Sequence, residues 1–465
     1  MRAFRHRALP ALALTAAMLC AAPAQGTSGP VRRPQLQACD LGLPRPFQCG
    51  RITVPMRRGD PALGVTRVGF AVRARSDRRR PSLGTIVAMD GGPGYASTAA
   101  PYARSLVAVL APLLHRRDLV LFDERGTGRS DVIDCPTLQR GLVQEGIAVA
   151  ECANQLGPRY AAYTSAEAAA DLEAVRGALG LGRIFFYGDS YATLFAQAYA
   201  ARYPGSLRGL ILDSAYPADD PYYRTLLPAG LDGLRTACRH SPRCSGDPLG
   251  RFARVVRRFH AADRPTENLL DFLLQAGTLA PRSYLSLDEA DRRFLAGDRR
   301  RLDELIAPGP AGHGELGEFS YGLEIAVECN DYPLLWDPDA EVDERVRQLS
   351  AATTRLPKDY FAPFGRREYL LSSAAHLTNC LTWPPPPGGL EPPVPAGWVA
   401  ATTFPTLILA GQVDDITSVA EARQVGRRFP RSHLYVVPDR GHASSLYFPF
   451  RSPAVGAIRH FIASS

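Results

Sequence analysis

Lysine is all but missing from this chain of 465 residues. Lys358 is the only one, so arginine carries the positive charge, a mark of a GC-rich coding sequence more than of any function. The basic residues are scattered as well. Arg78-Arg79-Arg80 is the densest run and reads as a solvated loop, so the net charge of +8 leaves no nucleic-acid footprint. Beyond Ala24 no apolar run is long enough to span a bilayer. Neither Cys-x-x-Cys nor His-x-x-x-His spacing occurs, which argues against a metal site. The segment Asp123-Glu124-Arg125-Gly126-Thr127-Gly128-Arg129-Ser130 is rich in glycine but lacks the lysine and spacing of a phosphate-binding loop. It reads instead as a structural loop in which Asp123 and Arg125 make buried polar contacts. There is no internal repeat. Together these absences point to a chain working without metal, cofactor, nucleic acid or membrane span.

The amino terminus has a different character. Arg2, Arg5 and Arg7 precede an apolar run from Ala8 to Ala22, and Ala22-Pro23-Ala24 resembles a cleavage site, so residues 1–24 read as a secretory signal peptide. Leu19 is too large for the position before a lipid-modified Cys20. The mature chain is therefore expected to be secreted. Losing three arginines and no acid lowers its net charge from +8 to +5. Eight cysteines remain: Cys39, Cys49, Cys135, Cys152, Cys238, Cys244, Cys329 and Cys380. An even number in an exported chain predicts four disulfides. Proximity favours Cys39–Cys49, Cys135–Cys152 and Cys238–Cys244, which leaves Cys329–Cys380 by elimination.

The one stretch that organises the rest is Arg183 to Pro204. Arg183 to Tyr187 is a short apolar run of β-formers, and from Tyr191 the apolar period becomes helical until Tyr203-Pro204. Gly188-Asp189-Ser190-Tyr191-Ala192 lies between them. That is close to the G-x-S-x-G nucleophile elbow, a sharp turn that lifts a serine above a sheet, with Ala192 at the last glycine position. Further apolar strands are expected at Arg51–Pro55, Thr66–Arg75, Gly84–Met89, Asp118–Phe122 and Leu207–Leu212. A helix is expected over Ser165–Leu179 with Ser165 as its cap. Residues 215–400 are rich in proline, aromatics and helical periodicity and poor in strands. The strand pattern then returns at Pro405–Gly411 and Ser432–Val437. The expected fold class is α/β, a doubly wound and mostly parallel sheet with a large, mainly helical cap insertion. The core is expected at 25–214 and 401–465 and the cap at 215–400.

Acylation of a serine needs a base to take its proton and an acid to orient that base. In this kind of sheet the three follow in the order Ser, Asp or Glu, His, each after a strand. Ser190, Asp414 and His442 fill that order. The N–H of Tyr191 and one from Gly91 or Gly92 would form an oxyanion hole, the glycines lying in Asp90-Gly91-Gly92-Pro93-Gly94. Asp213 also follows a strand but precedes the cap. Asp415 is expected to cap the next turn, and His115 and His433 to be structural. The sequence leaves His376 undecided.

At these residues the chain resembles the exported tripeptidyl-aminopeptidase-like serine hydrolases, relatives of proline iminopeptidase within the α/β-hydrolase fold. The resembling segments are DGGPG (90–94), DERGTGRS (123–130), YGDSYATLFAQAYAARYP (187–204), ILDSAYP (211–217), AVECNDYPLLWD (326–337), NCLTWP (379–384), PTLILAGQVDD (405–415) and RGH (440–442). The resemblance implies an enzyme that cleaves peptides, or small amides and esters, from the N-terminal side. It assigns the triad to Ser190, Asp414 and His442 and the oxyanion positions to Gly92 and Tyr191. Ala192 departs from the family's glycine, and no proline follows Thr417. A carboxylesterase on the same scaffold and an idle exported binding protein are the alternative readings. An aminopeptidase also needs an anion for its substrate's free amine. Glu324 and Glu328, four apart on an expected helix beside Cys329, are the candidates.

Overall fold

Five short, almost wholly buried runs make the middle of one sheet: β4 (Thr85–Met89), β5 (Asp118–Phe122), β6 (Ile184–Asp189), β7 (Leu207–Asp213) and β8 (Thr406–Gly411). Strands covered on both faces need apolar side chains on both, which is why these runs do not alternate. The computed structural model describes residues 33–465 except 220–222, 309–311, 358, 390, 402 and 448, so the signal peptide expected at 1–24 lies outside the described residues. Four further strands complete the sheet, namely β1 (Gln37–Cys39), β2 (Phe47–Arg57), β3 (Asp60–Arg73) and β9 (Ser432–Val437), in the order β1-β2-β3-β5-β4-β6-β7-β8-β9. The pairs from β1 through β5 by way of β3 are antiparallel, and every pair from β5 to β9 is parallel. The strand β1 has no apolar pattern of its own; Cys39 joins it to Cys49 of β2. The hairpin strands β2 and β3 also run well past the apolar stretches expected for them.

The chain steps from β4 outward to β5 and then back to β6 on the other side of β4. This is the switch point where loops diverge and leave a crevice at the strand ends. Met89 of β4 is the Cα partner of Gly188 of β6, so Asp90 and Asp189 leave the sheet side by side.

Between β7 and β8 the described residues contain eight α-helices, two short 3-10 helices and no strand. They divide between two cores. Leu226, Phe252, Val256, Leu270, Tyr284 and Leu302 belong to a satellite cluster. Leu323, Ile325, Ala326 and Val327 of the helix Tyr321–Asp331 are instead buried with β4, β6 and the elbow helix Tyr191–Arg202. Cys329–Cys380, Cys135–Cys152 and Cys238–Cys244 are the remaining disulfides, with Cα separations of 5.2, 5.3 and 5.2 Å. None of the described helices is long and apolar enough to cross a membrane.

Two sequence expectations need correcting. The helix Ser165–Ala178 is capped by Thr164, whose side chain accepts the Glu167 N–H at 3.2 Å, because Ser165 already has helical geometry and turns its hydroxyl to Tyr191 Oη at 2.8 Å. Asp415 caps nothing. It accepts the Gly277 N–H at 2.9 Å and the Tyr284 hydroxyl at 2.8 Å, fastening the helical insertion to the loop after β8. The cap of the next helix, Val419–Arg428, is Ser418, reciprocated by Glu421.

Candidate active site

Ser190 stands between β6 and its helix with φ 51° and ψ −124°, a conformation that L-residues avoid. The strain is held by bonds on both sides. The Ser190 N–H donates to the Asp213 carbonyl at 2.9 Å, and the Thr193 N–H and hydroxyl donate to the Ser190 carbonyl at 2.9 and 2.7 Å. A Cβ on Gly188 would lie 2.6 Å from the Ala192 carbonyl oxygen, so position 188 must be glycine where strand and helix cross. That glycine supplies the clearance which lets Ala192 keep its methyl.

His442 follows β9, its N–H donating to the Gly277 carbonyl at 3.0 Å. Its Nδ1 lies 3.2 Å from both carboxylate oxygens of Asp414. Asp414 also accepts the N–H groups of Ile416 and Thr417 at 3.0 and 2.9 Å and the hydroxyls of Thr417 and Ser214 at 2.9 and 2.8 Å. Burial disfavours the charged imidazole, but Asp414, then Asp213 and Asp415, outweigh it and raise the His442 pKa above its ordinary value. The rival acid Asp213 points elsewhere. It accepts the Ser444 hydroxyl at 2.9 Å and the Ser445 N–H at 2.8 Å, bracing the chain just after the histidine.

Ser190 and His442 open into one cavity of about 980 Å³, bordered by the glycine loop on one side and by the helix Tyr321–Asp331 on another. Gly91 touches the nucleophile turn so closely that a Cβ there would sit 2.7 Å from Ser190 Cβ. Its N–H, however, donates to Asp90 Oδ1 at 2.8 Å. The N–H groups of Gly92 and Tyr191 take no acceptor among the described residues. Of the two glycines, Gly92 is therefore the one with a free donor.

Residues 84–264 match the family model for the α/β hydrolase fold, and residues 369–464 match the model for TAP-like protein. The chain therefore has the α/β-hydrolase fold and resembles the tripeptidyl-aminopeptidase-like serine hydrolases. It is 26% identical to a tripeptidyl aminopeptidase of Streptomyces coelicolor over 87% of this chain and 79% of that one. It is also 26% identical to serine protease Hip1 of Mycobacterium tuberculosis, over 74% of this chain and 72% of the relative. A carboxylesterase B of Mycobacterium tuberculosis is 28% identical over 76% and 73% of the two chains. The chain is accordingly a serine hydrolase.

In this hydrolase Glu324 and Glu328 lie one turn apart on Tyr321–Asp331, and both line the cavity. Glu328 is paired not with an arginine but with His376, Oε1 to Nδ1 at 3.0 Å. Burial opposes charge on His376, yet Glu328, then Glu324 and Glu145, raise its pKa to about 10. The Glu324 carboxyl has no hydrogen-bond partner among the described residues, and burial first, then Glu328, pushes its pKa well up. The three side chains bring polar atoms within 4.8 Å of one another, so two carboxyls face the protonated His376.

Sequence reasoning left His376 open and missed Ser214. The Ser214 hydroxyl bridges Asp414 and the N–H of Ala443, at 2.8 Å each. A serine directly after a strand and its aspartate was the only signal. For His376 there was none, because its partner lies 48 positions away.

Proposed function

We propose that this serine hydrolase is an exported aminopeptidase that releases single residues or short peptides from substrate N-termini through an acyl-enzyme on Ser190. The observation that carries the reading is the one cavity that Ser190, His442, Glu324 and Glu328 line together. In this mechanism Ser190 Oγ attacks the scissile carbonyl while His442 Nε2 takes its proton, and Asp414 holds the imidazole through Nδ1. The N–H groups of Gly92 and Tyr191 receive the oxyanion. Collapse expels the amine, protonated by His442, and water then attacks the acyl-enzyme by the same route. With Glu328 engaged by His376, Glu324 gives up its proton as the substrate ammonium enters and then supplies the counter-charge, and burial strengthens that pairing. The names of the Streptomyces and Mycobacterium peptidase relatives support the peptide substrate, and the four disulfides support an oxidising compartment. Export by cleavage after Ala24, and a cap over 215–400 between core segments 25–214 and 401–465, belong to the same proposal.

The test is a panel on the mature protein: a peptide anilide, its N-acetylated twin, and a nitrophenyl ester. The aminopeptidase reading expects the free peptide to be favoured by about a hundredfold in kcat/KM, the scale of one desolvated charge pair. It also expects Glu324→Gln to erase most of that preference. Equal turnover of free and blocked peptides, with a faster ester, would select the carboxylesterase reading to which the carboxylesterase relative points. Failure of a serine-directed phosphonate to label Ser190 would leave only a binding protein.

A further inference from the structure

Directly behind the nucleophile the sheet sets two acids against each other. Met89 and Gly188 are partners on adjacent parallel strands, so Asp90, just beyond β4, and Asp189, at the end of β6, emerge next to each other. The two buried carboxyls lie within reach of one another. A hydrogen bond between two carboxyl groups requires a proton between them. The Tyr102 hydroxyl donates to Asp189 Oδ1 at 3.2 Å, leaving the other oxygen for the shared proton. The Asp90 carboxyl in turn holds the Gly91 N–H at 2.8 Å, while the Asp90 N–H is fixed to Ser97 Oγ at 3.0 Å.

We propose that Asp90 and Asp189 are positioning residues that share one proton and thereby lock the glycine loop against the nucleophile turn, leaving the Gly92 N–H aimed at the reacting carbonyl. The inference rests on the oxyanion assignment of Gly92 and Tyr191 but not on any choice between peptide and ester. The mechanical logic is short. With the proton present, the pair is a closed bridge from β6 to the glycine loop. Without it, two anions face each other in a buried site, and the loop that carries Gly92 is pushed from Ser190. The titratable groups facing the pair are Tyr102, Tyr187, Tyr95 and Tyr447, with Asp123 beside Asp90 and Asp213 beside Asp189. They are neutral or negative, so they favour keeping the proton. Burial in the first place raises Asp90 to about 7, and burial, then Asp90 and Asp213, raise Asp189 well above the usual carboxylate range.

Asp189→Asn is the deciding variant, because its amide donates to Asp90 and never ionises. The readout is the pH dependence of Ser190 labelling by a phosphonate, a reaction that needs neither a peptide nor an ester substrate. Loss of the aminopeptidase reading therefore leaves the test intact. Above the pH at which His442 is deprotonated, wild type is expected to lose about tenfold in labelling rate as the bridge opens, and Asp189→Asn less than about twofold, a part of the value of one oxyanion donor. Asp90→Ala, which frees Gly91, should lower kcat for a nitrophenyl ester by about 10 to 100-fold with KM within about threefold. If that variant does not fold, Asp90→Asn replaces it. Its amide oxygen still accepts from Gly91, and it too should lose the alkaline decline. An alkaline decline in Asp189→Asn equal to that of wild type would overturn the proposal. So would wild-type kcat in folded Asp90→Ala.

Discussion

The carbonyl of Gly94 accepts the N–H of Ser320 at 3.0 Å, which ties the glycine loop beside Ser190 to the residue that caps the helix Tyr321–Asp331. A second bond, from the Ala96 N–H to the Glu318 carbonyl at 2.8 Å, runs alongside it. A Cβ on Gly94 would lie 2.5 Å from the Ser320 carbonyl oxygen, so the approach depends on glycine. The spacing between the glycine loop and the helix that carries Glu324 and Glu328 is thus set by backbone bonds. For an enzyme that measures from a substrate's end, that is the useful place for rigidity.

The acid of the triad is separable from its neighbour. Ser190→Ala should abolish acylation, and Asp414→Asn should lower kcat by about 10⁴-fold by favouring the wrong imidazole tautomer. Asp213→Asn, which touches the Ser444 hydroxyl and the Ser445 N–H, should cost far less in kcat. Steady-state kinetics on the three variants decides, and an inactive Asp213→Asn beside an active Asp414→Asn would reverse the assignment.

His376 should hold its proton well above neutrality. Its folded pKa is raised from 6.5 to about 10, so its contribution to stability is complete below pH 6.5 and is lost as the pH climbs through 10. Histidine NMR should show no titration of this ring between pH 6 and 8. In Glu328→Gln the main raising charge is gone, and the ring should titrate at markedly lower pH.

Arg125 is fully buried and grips Asp171 with Nε and Nη2 at 2.7 and 2.8 Å, besides donating to the Ala162 carbonyl. Arg125→Met removes that charge and leaves Asp171 with Arg58 alone. A loss of about 3 kcal/mol is expected in urea unfolding, the usual result of stranding one member of a buried ion pair. A loss below about 1 kcal/mol would mean that Arg58 compensates.

The Cys329–Cys380 bridge closes a span of 51 residues, and its removal in Cys329→Ser with Cys380→Ser should cost about 4 kcal/mol by chain entropy. Cys329 shares its helix with Glu324 and Glu328, and that helix belongs to the main core. KM for a free-amine peptide should therefore rise more than ester turnover falls.

Local periodicity made much of this molecule readable in advance. The buried strands, the strand-to-helix turn at Ser190 and the helix Ser165–Ala178 follow from the spacing of apolar residues within single segments, and a short segment's period needs no partner to be seen. The order in which Ser190, Asp414 and His442 follow their strands is likewise a property of the linear chain. What the tertiary structure alone decided is everything that depends on residues far apart meeting. A three-residue strand such as β1 has no period to detect and exists because β2 and a disulfide hold it. The use of Asp415 as a clamp on Gly277 and Tyr284, the pairing of Glu328 with His376, and the placing of Tyr321–Asp331 in the main core all required the chain to return on itself. So did the register that sets Asp90 beside Asp189, because strand neighbours are chosen by the whole sheet, and the carboxyls' need to share a proton arises only once burial has removed the water between them.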